Sequence, residues 1–97
     1  MLEHFPFEYR ITEAEYTPIP NCLGNLEPYI QYAGYPTWKV FGKAFYLFRD
    51  PVSEFWTISG IIGNVTDCWQ PNTQNVINDT YYPNGTVENF VNVVPYV

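Results

Sequence analysis

Nine prolines, spread from Pro6 to Pro95, punctuate this 97-residue chain. Each fixes its own φ and removes a backbone donor, and in a helix interior each would cost about 3 kcal/mol. Few windows between them could sustain a helix. The intervening residues are rich in Tyr, Phe, Val, Ile and Thr, which suit a pleated, half-buried surface. Aromatic residues make up 20 % of the chain and charged residues only 14 %, the reverse of what a disordered segment needs. The chain therefore reads as one all-β domain over residues 1–97: a small antiparallel β-sandwich or partly open barrel.

Strand-like segments follow one another at short intervals. Phe5, Phe7, Tyr9 and Ile11 alternate with Pro6, Glu8 and Arg10, the period of a half-buried strand. Because Pro6 cannot donate to a ladder, this strand is expected at an edge. Residues 1–12 then become an exchangeable donor strand, with Phe5, Phe7, Tyr9 and Ile11 as the face that could complete a neighbour's sheet. Residues 12–28 read as an irregular connection. Further strands are expected at 29–32, 37–41, 44–48 and 54–59, with Gly42-Lys43 as a tight hairpin turn. A last hairpin, 76–82 and 86–94, is expected to turn at Pro83-Asn84-Gly85.

Two features bear on where the chain matures. Asn64-Val-Thr66, Asn78-Asp-Thr80 and Asn84-Gly-Thr86 are N-glycosylation acceptors, in a chain where about one would arise by chance. Two cysteines, Cys22 and Cys68, allow a single intrachain disulfide, and closing so long a loop would stabilise the fold by roughly 4 kcal/mol. Acceptors and disulfide together imply an extracellular or cell-surface, secreted glycoprotein. The opening Met-Leu-Glu-His-Phe-Pro lacks the pattern of a signal peptide. The sequence therefore reads as a mature region, a module of a larger precursor, or a form with an added Met.

The chemistry legible in the chain is sparse. His4 is the only histidine, and the two serines, Ser53 and Ser59, stand in no nucleophile-elbow pattern. Glu13 with Glu15, or Asp50 with Glu54, could be offered as a carboxylate pair, but acidic residues in turns are ordinarily solvated. Zinc, calcium and phosphate-loop spacings are absent from the sequence, so no catalytic residue, metal or cofactor is expected. A net charge of −6 disfavours nucleic acid and anionic membrane surfaces, and no apolar run is long enough to span a bilayer. Residues 1–30 hold five Glu against Arg10, whereas Lys39, Lys43 and Arg49 cluster further on.

Trp38, Trp56 and Trp69 admit two readings. Indole faces stack on sugar rings, which makes them candidate carbohydrate-binding residues. Trp38 with Val40 and Trp56 with Ile58 equally fit inward-facing strand positions, and Trp69, beside Cys68, would pack on the disulfide. The order Cys22, Trp38, Cys68 resembles that of immunoglobulin-like domains, which implies a β-sandwich; Thr66 stands where that family carries a Tyr. Taken together, the sequence predicts a non-catalytic module acting as a structural or adhesive subunit of an extracellular assembly or fibre. Its expected partners are copies of itself or another extracellular protein. The alternative is a glycan-binding module using surface Trp and Tyr.

Overall fold

The structure, a computed structural model, describes residues 8–13, 22–85 and 89–96. Eight strands follow in chain order: β1 (Glu8–Glu13), β2 (Gly24–Tyr32), β3 (Tyr35–Val40), β4 (Tyr46–Arg49), β5 (Trp56–Ser59), β6 (Cys68–Gln70), β7 (Thr80–Asn84) and β8 (Val91–Tyr96). Each pairs antiparallel with the next, and β8 returns to β1, so the sheet closes into an up-and-down barrel. No helix occurs among the described residues. The all-β, antiparallel expectation holds. The sandwich implied by the immunoglobulin-like residue order does not, because every strand lies beside its sequence neighbour and one sheet closes on itself.

Four prolines lie inside strands, and the stagger of the strands explains why they are tolerated. Pro28 is opposite Trp38 in β3, but β1 pairs with β2 no further than Leu26. Pro36 lies opposite Gln31, while β4 reaches only Trp38 and Lys39 of β3. Pro83 is opposite Trp69, whereas β8 meets only Thr80 and Tyr81 of β7. Pro95 is opposite Tyr9, beyond the span where β7 meets β8. Among the described residues every strand proline thus sits where its strand has one neighbour, so the missing N–H interrupts no second ladder there. The edge expected at the first strand exists only in this staggered form: Tyr9, Arg10 and Ile11 are paired on both sides. Phe5, Phe7 and Pro6 lie outside the described residues.

Side chains alternate across the wall. Inward stand Ile11, Leu26, Trp38, Val40, Leu47, Trp56, Ile58, Trp69, Tyr81, Val91 and Val93, joined by Cys22. Three edge-to-face contacts organise this filling: Tyr9 on Trp38 at 5.3 Å, Trp38 on Trp56 at 5.8 Å, and Phe45 on Trp69 at 6.0 Å. The polar ends of the large rings are satisfied, with Trp69 Nε1 donating to the Asn89 carbonyl at 2.9 Å and the Tyr81 hydroxyl to the Ile77 carbonyl at 2.7 Å. The interior is a packed core, as eight strands leave little more than room for side chains.

A second buried layer covers part of the outer wall. Phe48, Thr37, Thr57, Ser59 and Cys68 are buried although their strand neighbours Leu47, Trp38, Trp56, Ile58 and Trp69 fill the interior. The end of β2 lies over them: the Tyr32 ring meets Phe48 edge-on at 5.6 Å, and Thr37 Oγ1 donates to the Ile30 carbonyl. A register shift between Pro28 and Gln31 bends β2 into this position. The β5–β6 loop adds to the cover, with Gly63 against the Tyr32 hydroxyl.

The β2–β3 connection is the two-residue turn Ala33-Gly34, with φ of 53° and 84°, the type I′ geometry that matches strand twist. Ala33 carries its Cβ in a left-handed conformation that L-residues resist. Ala33→Asn is expected to raise stability by about 1 kcal/mol, read as a higher urea midpoint with an unchanged slope.

Candidate functional site

Among the described residues an accessible apolar depression lies on the outer wall, about 330 Å³ in volume and lined by Tyr29, Ile30, Tyr46, Gly60, Ile61 and Ile62. Its position follows from the bend in β2, which carries Tyr29 to Tyr46 of β4 (ring centroids 5.3 Å apart) and leaves Ile30 outward. Tyr29, Ile30 and Ile61 are 49 %, 55 % and 67 % exposed, a concentration of large apolar side chains in water that soluble surfaces usually avoid. The lining holds no carboxylate, amine or imidazole. The arrangement can hold an apolar or ring-shaped group. Nothing in the sequence pattern singled it out, because it depends on a bulge in β2.

The tryptophans lie elsewhere. Trp38, Trp56 and Trp69 are 3 %, 4 % and 1 % exposed, so no indole face is open for sugar stacking. Their inward reading is the one the fold realises. Among the described residues the exposed aromatic rings are instead Tyr29, Tyr35, Phe41 and Tyr82.

The expected disulfide between Cys22 and Cys68 is not formed; both are free and buried. The barrel wall separates them. Cys22 packs in the interior cluster at the entrance to β2, whereas Cys68 occupies the outward side of β6, because its neighbour Trp69 takes the inward one. Nor does Trp69 pack on a disulfide; its ring lies against Phe45. Burial pushes the Cys22 thiol up from 9.0 to about 12, against weaker opposing pulls from its own backbone hydrogen bond and Lys43. Burial raises Cys68 too, partly offset by Asn84. Almost no thiolate forms at neutral pH, and neither sulfur is reactive.

These groups give the fold an alkaline limit. Tyr81 is held well above 10.0, first by burial and then by Asp79 and Tyr9. For Cys22 and Tyr81 the folded pKa exceeds the unfolded one. Their contribution is therefore complete below the unfolded values of 9.0 and 10.0 and is lost as pH rises through the interval above them. The urea midpoint is expected to stay level up to pH 9.0 and fall above it, and Cys22→Ala to fall less steeply between 9.0 and 10.0.

The three acceptor asparagines occupy different surroundings. Asn64, in the β5–β6 loop, accepts at Oδ1 from the Thr66 amide at 3.1 Å and the Thr66 hydroxyl at 2.8 Å, an Asx-turn. Asn78 is exposed in the β6–β7 loop, and the Thr80 hydroxyl donates to Asn92 Oδ1 at 2.7 Å. Asn84 ends β7 rather than forming the centre of a turn, and its Nδ2 donates to the Val65 carbonyl at 3.3 Å and lies 4.0 Å from Cys68 Sγ.

A polar knot joins two loops at one end of the barrel. The Arg49 guanidinium lies 4.3 Å over the Tyr35 ring, donates from Nε to Asn75 Oδ1 at 2.8 Å and meets Glu54 at 3.8 Å. Glu54 and Asn75 both adopt positive φ, 66° and 61°, and the Asn75 amide donates to the Glu54 carbonyl. Each polar group is matched by another, so the knot reads as the fastening of the β4–β5 and β6–β7 loops. Among the described residues no group of His, Cys, Asp and Glu could hold a metal ion, and no helix is long and apolar enough to cross a membrane. No protein-family model, curated protein or solved structure matches this chain.

Proposed function

We propose that the protein is a non-catalytic module of an exported glycoprotein, a structural or adhesive subunit that meets a second copy of itself through the outer-wall depression. The observation that carries this reading is the apolar lining of Tyr29, Ile30, Tyr46, Ile61 and Ile62, with no carboxylate, amine or imidazole among them. The association first expected of the N-terminal strand moves to this surface, since Tyr9 and Ile11 are engaged in their own barrel. Free cysteines are compatible with export here, because burial keeps both sulfurs from oxidants.

Light scattering across a concentration series tests the contact. The wild type should gain mass with concentration, and Ile30→Asp and Ile61→Asp, both at exposed sites, should stay monomeric with unchanged melting. A wild type that remains monomeric throughout would remove the self-association reading. The Tyr29–Tyr46 pair favours a second reading, a glycan ring seated on the tyrosines. Glycan-array binding lost in Tyr29→Ala would support it, and an array with no binding would end it.

A further inference from the structure

We infer that Tyr29 and Tyr46 form an oxidative cross-linking site, at which hydrogen peroxide and a haem peroxidase join the two rings into an intrachain dityrosine. The inference goes beyond the function proposed above and needs neither export nor a second copy. Among the described residues theirs is the one ring contact between two tyrosines, with centroids 5.3 Å apart and planes inclined by 34°. Tyr9, Tyr32 and Tyr35 instead meet Trp38, Phe48 and Trp56 nearly at right angles, and Tyr82 stacks on Phe90. A radical on any of these four faces an indole or a phenyl ring in that contact, not a second phenol.

Access favours the same pair. Tyr29 is the most exposed tyrosine among the described residues, and Tyr46 is half-buried beside it in the open depression. The other readily oxidised side chains described are shielded, since Trp38, Trp56, Trp69 and both cysteines are buried and oxidation follows exposure.

The reaction draws only on the two phenols and the peroxide. The peroxidase removes one hydrogen atom from each hydroxyl, leaving two phenoxyl radicals whose unpaired electrons reach the ring carbons beside the oxygen-bearing carbon. Those electrons pair in a new carbon–carbon bond between the rings. Each bonded carbon then releases its hydrogen as a proton, which restores aromaticity, and each phenolate oxygen takes a proton back. In sum the protein loses two hydrogens, and one hydrogen peroxide is reduced to two waters. The bond links β2 to β4 across the intervening β3 and pins the bent end of β2 that covers Phe48 and Thr37. Such a staple restricts the unfolded chain as a disulfide does, in a protein whose two thiols stay apart.

The full chain, folded and at low concentration, is treated with a haem peroxidase and hydrogen peroxide and followed by dityrosine fluorescence, intact mass and peptide mapping. The expected product is a fluorescent monomer lighter by two hydrogens, with Tyr29 and Tyr46 in one cross-linked peptide pair and a raised urea midpoint. Tyr29→Phe and Tyr46→Phe keep each ring and lose only its hydroxyl; both should fall to background fluorescence, while Tyr35→Phe and Tyr82→Phe keep the full signal. Absence of product in the wild type, a link that maps to another pair, or covalent dimers in place of the cross-linked monomer would overturn the inference. Oxidising the urea-unfolded chain separates the fold's contribution from closeness in sequence. A link between Tyr29 and Tyr46 formed as fully there as in the folded protein would overturn the claim that the barrel builds the site.

Discussion

Replacing Trp69 with alanine is expected to cost about 3–5 kcal/mol, a large part of the roughly 5–15 kcal/mol that a domain of this kind possesses. Trp69 is 1 % exposed, its ring meets Phe45, and its Nε1 satisfies the Asn89 carbonyl from inside the barrel. Alanine would remove the largest fully buried side chain from a wall strand of only three residues, β6, and leave that carbonyl without its indole donor. Trp69→Phe keeps most of the volume and loses the hydrogen bond, so it should fall between wild type and Trp69→Ala. Tyr82→Ala supplies the contrast: that ring is 43 % exposed and stacked on Phe90, and its loss should cost under about 1.5 kcal/mol. Urea unfolding followed by circular dichroism measures all three. A Trp69→Ala protein as stable as the Tyr82 variant would mean that the interior is not packed as described.

Gly85→Ala is the second large effect. The left-handed backbone at φ of 87° costs an L-residue about 1–2 kcal/mol. The collision of the new methyl with the Thr66 carbonyl and the Asp67 side chain adds about 1–3 kcal/mol of overpacking. Gly42 isolates the first contribution, since its φ is 74° and a Cβ there would meet nothing within 4 Å. Gly42→Ala should therefore lose only the conformational part. The difference between the two variants measures how tightly the β5–β6 loop sits on the end of β7. Equal losses would mean that the loop gives way at no cost.

Local patterns carried much of the architecture. The prolines and the Tyr, Phe and Val content point to strands, and strands were found wherever the described residues cover the expected segments 29–32, 37–41 and 44–48 in whole or large part. The inward placement of Trp38 and Val40, and of Trp56 and Ile58, follows from their alternation. Closure was not legible, because pairing β8 with β1 joins residues at opposite ends of the sequence and no local signal encodes it. Strand β6 was missed because Cys68–Gln70 is too short to show a period. The lost disulfide follows from the same strand: with Trp69 inward, its neighbour Cys68 must face outward, away from Cys22. At Pro83-Asn84-Gly85 the usual turn signal misled by two residues, since Pro83 and Asn84 still pair with Trp69 and Cys68 and the chain leaves the ladder only at Gly85. The apolar depression and the Arg49 knot depend on a bulge and on positive φ at Glu54, which residue types do not announce.

The pairing of Glu8 with Tyr96 brings the two extremities of the barrel to neighbouring staves, about 5 Å apart. Such a unit can be spliced into an exposed loop of a carrier protein without prying its host open. Its ends can also be joined by a short tether and new ones cut at Ala33-Gly34, giving a rearranged connectivity with every stave still in place.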